Sequence, residues 1–108
     1  MRTRLLRRKI MKYILGIDIG TTAIKAAVIG EDGEIYGTKT SEYPLTTLPS
    51  GEVEADLSLY EEAFKQSIKE SVKNARVPVK DIKCVGFSST AETCVFLDEN
   101  NKPLCKVI

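Results

Sequence analysis

The sequence predicts an α/β fold: an antiparallel three-stranded meander, a crossover helix, a parallel fourth strand and a closing hairpin. Three observations carry that expectation. The apolar or extended runs Tyr13 to Ile17, Ala23 to Ile29 and Ile35 to Glu42 are separated only by short polar turns, which leave no room for a crossover, so consecutive strands must reverse. A long segment from Leu57 to Ala75 changes the apolar spacing to three or four residues, the period of a helix. Another apolar run, Ile82 to Ser88, follows that helix, and a strand reached through a helical crossover lies parallel to the first.

Each element has a local reason. Asp18 to Thr22 and Glu31-Asp32-Gly33-Glu34 supply the first two turns, and Pro44 to Gly51, with two prolines among Thr and Ser, is expected to be a connecting loop. Asp56 is the expected N-cap. Leu57, Tyr60, Phe64, Ile68, Val72 and Ala75 form one stripe expected to be core, while Glu62, Lys65, Lys69 and Lys73 face water. Pro78 ends the helical region, and Ile82 to Ser88 is expected to be a buried strand. Ser89-Thr90-Ala91-Glu92-Thr93 then forms a polar loop at the carboxyl end of that strand, where open α/β sheets bind ligands. Cys94 to Leu97, the turn Asp98 to Lys102, and Pro103 to Ile108 complete the hairpin.

At 108 residues the chain suits one domain, and it is small for an enzyme that must close two lobes around a nucleotide. Its formal charge of +1 hides an asymmetry. Arg2, Arg4, Arg7, Arg8, Lys9 and Lys12 precede Tyr13 with no acid among them; from Tyr13 onward ten basic residues meet fifteen acidic ones, a net charge of −5. An acidic body argues against nucleic acid as a partner, because such domains spread Lys and Arg over a folded face. Residues 1–12 read as a basic, disordered extension, with Met11 the natural start. No apolar run is long enough to span a membrane. Cys84, Cys94 and Cys105 are odd in number and too widely spaced for a zinc ribbon or a redox Cys-x-x-Cys, which suits reduced thiols in a cytoplasmic protein.

The first turn carries the chemistry. Asp18-Ile19-Gly20-Thr21-Thr22 places a carboxylate, a glycine and two hydroxyls at a strand end. Asp18 cannot approach a phosphate directly, but it can hold the water shell of Mg2+, which prefers one or two carboxylates plus phosphate oxygens. Gly20 lets backbone amides come close to an anion, Thr21 and Thr22 add donors, and Lys25 offers a point charge within reach. Taken alone, the five residues fit an ordinary Gly- and Thr-rich hairpin turn equally well.

Three segments together are more specific. Tyr13 to Thr22 with Lys25, then Gly51-Glu-Val-Glu54-Ala-Asp56 before a helix, then Gly86-Phe-Ser-Ser with Phe96-Leu-Asp98-Glu-Asn-Asn-Lys-Pro-Leu104, resemble the N-terminal domain of the FGGY carbohydrate kinases, from about Tyr13 to Ile108. The resemblance implies a ribonuclease-H-like (actin-like ATPase) fold, here incomplete, with 13–108 a partial N-terminal domain. It also implies transfer of the γ-phosphoryl of ATP to a sugar or polyol hydroxyl in a cleft closed by a second kinase domain. On that resemblance Asp18 helps to hold Mg2+, while Gly20, Thr21, Thr22 and Lys25 serve the ATP phosphates. Ser89, Thr90, Glu92 and Thr93 fall where the family contacts its sugar. The loop departs from two patterns of the family: the Gln-Met-His-Gly of xylulose kinases is absent, and of the Asn-Gln-Arg-Glu-Thr of glycerol kinases only Glu92 and Thr93 remain. Ala91 replaces the arginine, which removes a fork of donors, and Glu52 stands where the family commonly has Trp.

The family's catalytic base, an aspartate in a Gly-Asp-Gln-type motif far downstream, has no counterpart within the 108 residues. Asp56, Asp81 and Asp98 read as a helix cap, a strand lead-in and a turn residue. The expectation is therefore a kinase portion inactive by itself. Two alternatives share the first motif: a non-enzymatic nucleotide-binding module of the actin-like superfamily, and a truncated product with no function of its own.

Overall fold

The computed structural model describes residues 10–51, 53–90 and 93–107. Most of the expected N-terminal extension (1–9), together with Glu52, Ala91, Glu92 and Ile108, lies outside the described residues. Strands β1 (Tyr13–Ile19), β2 (Ala23–Gly30) and β3 (Ile35–Glu42) form the meander, α1 (Leu57–Ala75) crosses over, and β6 (Ile82–Ser89) returns beside β1. The sheet order is β3-β2-β1-β6, with β1 and β6 parallel and the other neighbours antiparallel. This is the expected topology.

Two peripheral segments differ in detail from the sequence reading. The connection after β3 is not wholly irregular: β4 (Thr46–Thr47) and β5 (Val53–Glu54) pair as a two-residue ladder. The closing hairpin shrinks to one bridge, Leu97 to Pro103, around a turn in which the Asp98 carboxylate accepts from the amides of Asn100 and Lys102 at 2.8 and 2.9 Å. Val107 then bridges Ala55, exchanging backbone bonds of 2.8 and 3.2 Å.

Alternation along the strands sorts the two faces of the sheet. Leu15 and Ile17 of β1 and Ile24, Ala26 and Val28 of β2 point toward α1 and form the core. The helix meets them most closely along a line that shares only Ala75 with the expected stripe. Its buried positions are Ala63, Ser67, Ser71 and Ala75, while Tyr60, Phe64, Ile68 and Val72 flank the contact half-buried. Small side chains along one line let the helix axis approach the sheet, and Gly37 of β3 lies directly beneath Ser71 and Ala75. Large residues then fit only at the sides of the contact. Asp56 occupies the N-cap position with extended backbone but makes no side-chain cap bond, and Arg76 ends the helix in the left-handed conformation.

Of the three serines buried at this contact, Ser71 donates to the Ile68 carbonyl of its own helix at 3.0 Å, and the other two differ. Ser67 donates to the Ile24 carbonyl at 3.0 Å, whereas Ser41 Oγ has no partner among the described residues. Ser67→Ala is expected to cost about 1 kcal/mol in denaturant unfolding, and Ser41→Ala close to nothing, because only the first removes a made bond. Equal losses would refute the assignment of that bond.

The strand β6 is not the buried strand the sequence suggests. Val85 is 48% exposed and Phe87 63%, although both share the helix-facing side with Leu15 and Ile17. The helix lies over β2 and β3 and reaches this side of the sheet mainly through the parallel stacking of Phe64 on Phe87, centroids 6.3 Å apart. An apolar run shows that a strand tolerates burial; which element covers it is a tertiary matter.

Candidate functional site

The turn between β1 and β2 is built by backbone bonds before any ligand is considered. The Gly20 amide donates to the Ala23 carbonyl at 2.9 Å, and a Cβ at position 20 would stand 3.0 Å from that same oxygen, so the close turn favours glycine. The Gly20 carbonyl accepts the phenolic O–H of Tyr43, and the Thr22 carbonyl accepts the Tyr43 amide at 3.0 Å. Thr21 and Thr22 are exposed, and their amides have no partner among the described residues.

Cross-strand register places the charged residues. Asp18 lies opposite Lys25 on β2 and beside Ser88 on β6, and Lys25 lies opposite Thr40 on β3. All four are on the sheet face away from α1. The row behind them is Thr38, Ala27, Gly16 and Gly86, small residues that leave a groove of about 630 Å³. Among the described residues no three His, Cys, Asp or Glu side chains gather to hold a metal unaided. A lone carboxylate beside an ammonium and unpaired hydroxyls does fit Mg2+ that arrives with a polyphosphate, since that ion keeps waters and phosphate oxygens as most of its ligands.

The loop after β6 lies at the same end of the sheet. Thr90 donates its amide to the Ile19 carbonyl at 3.0 Å, extending the parallel β1–β6 ladder by one bond, and its hydroxyl lies 3.0 Å from that of Thr93. Two small clefts open here on the helix side. One, of about 170 Å³, is lined by Thr21, Glu54, Tyr60 and Thr93; its neighbour, of about 220 Å³, by Ser89, Thr90, Thr93 and Tyr60. The structure thus brings Thr21 together with Thr93 in one cleft and Thr93 with Ser89 and Thr90 in its neighbour, and it places Asp18, Lys25 and Ser88 in the groove on the other face. Glu92 lies outside the described residues.

Three residues at this end receive no site role from the sequence, although Glu54 belongs to the second motif segment. Tyr43 is buried and packs on Tyr60 with ring centroids 4.2 Å apart. Glu54 meets Lys106 at 3.6 Å on the cleft wall. Tyr60 reads in the sequence as part of the core stripe, and only its place on the first helical turn, beside the turn of β1 and β2, could have marked it.

Residues 13–108 match the N-terminal domain of the FGGY family of carbohydrate kinases. The chain belongs to that family. Among curated members, a probable L-xylulose kinase of Haemophilus influenzae is 32% identical over 98 residues, 91% of this chain and 20% of its own length. The gluconokinase of Bacillus subtilis is 36% identical over 97 residues, covering 89% of this chain and 18% of its own. Of solved FGGY-type folds, gluconate kinase from Lactobacillus acidophilus superposes with a TM-score of 0.82 at 27% identity, over 92% of this chain and 20% of that one. Plasmodium falciparum glycerol kinase with ADP gives 0.77 at 26% identity, over 91% and 20%. This FGGY domain spans about one-fifth of the length of the curated relatives it matches. The four-stranded sheet with its crossover helix is accordingly the opening part of an actin-like kinase domain.

Proposed function

We propose that this chain supplies the first phosphate loop and part of the acceptor site of an ATP-dependent sugar or polyol kinase working in the cytoplasm. The observation that carries the reading is the shared cleft of Thr21 and Thr93, set beside a Thr90 to Ile19 bond that joins the two loops. In a phosphoryl transfer the protein's work is positioning and charge neutralisation. Gly20, Thr21 and Thr22 offer amides and hydroxyls to the phosphates of ATP, Lys25 offsets their charge, and Asp18 orients the water shell of Mg2+. Mg2+, when bound, would supply charge neutralisation for the phosphates. Ser89, Thr90, Glu92 and Thr93 hold the acceptor by its hydroxyls. A residue to take the acceptor's proton is not among them, and the second kinase domain is the partner that would complete the nucleotide site.

The test is a kinase assay on the 108-residue chain against a panel beginning with ketopentoses and short polyols. No turnover is expected, and clear turnover would mean the base has been misplaced. In the full-length kinase, Glu92→Gln is expected to weaken sugar binding about tenfold, the loss of a charged hydrogen bond of about 1.5 kcal/mol, and to leave ADP binding unchanged. Calorimetric titration of each ligand separately checks this; a variant that binds sugar as wild type does removes Glu92 from the site.

A further inference from the structure

The turn between β1 and β2 is gripped at both ends by one residue that no motif includes. Tyr43 follows β3 directly; its amide holds the Thr22 carbonyl at 3.0 Å and its hydroxyl holds the Gly20 carbonyl. With Gly20 N–H donated to Ala23, the inward-facing bonds of the turn are complete, and what remains for a ligand are the amides and hydroxyls of Thr21 and Thr22. That division matters because an anion is repelled by carbonyl oxygens as strongly as it is drawn to amides, so an anion-binding turn works only with its carbonyls aimed elsewhere. A water molecule could donate to the Gly20 carbonyl, but it would not fix the direction of that group. The ring of Tyr43 is fixed: it is 4% exposed and packed on Tyr60. Burial, with Tyr60 beside it, also pushes the phenol above its ordinary range, so the hydroxyl stays a donor into alkaline pH.

We propose that Tyr43 is a positioning residue for the phosphate loop, turning the Gly20 and Thr22 carbonyls into the protein so that the Thr21 and Thr22 donors face an incoming polyphosphate. This rests on the reading of that loop as a nucleotide site. It extends that reading by naming the group that preorganises the loop.

The experiment is an NMR titration of the chain with Mg·ADP, following the Thr21 and Thr22 amides. In the wild-type chain both resonances are expected to move on titration. Tyr43→Phe, which keeps the ring on Tyr60 and removes only the hydroxyl, is expected to weaken the binding read from those shifts about tenfold. Slow hydrogen exchange at Ile24 and Val28 should persist, which a general loss of structure would not allow. Replacing Tyr43 by 4-aminophenylalanine, which restores a donor at the ring tip, should recover binding. If Tyr43→Phe loses that protection, the 4-amino variant decides: folded and binding supports the proposal, folded and non-binding overturns it. Absence of any shift in the wild-type chain overturns the nucleotide site itself and this inference with it. Equal affinity of wild type and a folded Tyr43→Phe overturns the positioning role alone.

Discussion

Gly37→Ala is expected to lower the melting temperature of the domain by roughly 10 to 20 °C, the shift that about 3 kcal/mol produces in a domain of this size. A Cβ at position 37 would collide with the Ser71 carbonyl and the Ala75 amide and come within 2.7 Å of Ala75 Cα. All three are helix backbone, so no rotamer change relieves the clash. Either α1 lifts from β3, opening a gap over Ser67 and Ala63, or β3 bends and loses its ladder to β2; each gives up close packing that the small-residue stripe exists to permit. The matched control is Gly86→Ala, where a Cβ meets nothing within 4 Å, and the change is expected to stay within about 0.5 kcal/mol. Thermal melts followed by circular dichroism at 222 nm compare the two. Should Gly37→Ala and Gly86→Ala melt together, the helix does not rest on β3 as described.

The second large effect concerns ligand binding. On the proposed role of Asp18, Asp18→Asn is expected to weaken Mg2+-dependent nucleotide binding in the full-length protein by about 10- to 100-fold, the usual loss when a group that orients a metal's ligands is removed. The amide keeps the shape of the side chain and its place opposite Lys25, so the sheet is undisturbed. Sugar binding without Mg2+ should remain near wild type, since Ser89, Thr90 and Thr93 line a cleft on the other face. Titration of ADP with and without Mg2+, alongside sugar, separates the outcomes: equal loss of both ligands indicates a damaged fold, and no loss of either removes Asp18 from the metal site.

The order and direction of the strands were legible because they follow from local signals: short polar turns force reversal, and a helix between strands forces a parallel return. Helix limits were legible for the same reason, with Pro78 shortly after Arg76. The face of α1 was legible only in part. Of the expected stripe Leu57, Tyr60, Phe64, Ile68, Val72 and Ala75, only Ala75 is fully buried and Tyr60, Phe64, Ile68 and Val72 pack at the edge of the core, because the opposing strand offers Gly37 and the closest packing goes to Ala63, Ser67 and Ser71. Exposure of Val85 and Phe87 escaped for a related reason, since composition does not say what covers a strand. In the site, Asp18 and Lys25 could be placed on one face by counting along a hairpin, whereas Tyr43 could not be linked to Gly20 at all: 23 residues separate them, and only the closed meander brings the phenol to the turn.

The hydrogen bond from the Thr90 amide to the Ile19 carbonyl has a consequence for how a donor and an acceptor would be spaced. It makes the last rung of a parallel ladder serve as a ruler: the segments that follow β1 and β6 start one strand spacing apart, about 4.8 Å. A phosphoryl group seated on the first segment and a hydroxyl seated on the second would therefore begin near one another by virtue of sheet geometry alone, with a remaining approach of only about 1 to 2 Å to reach contact distance.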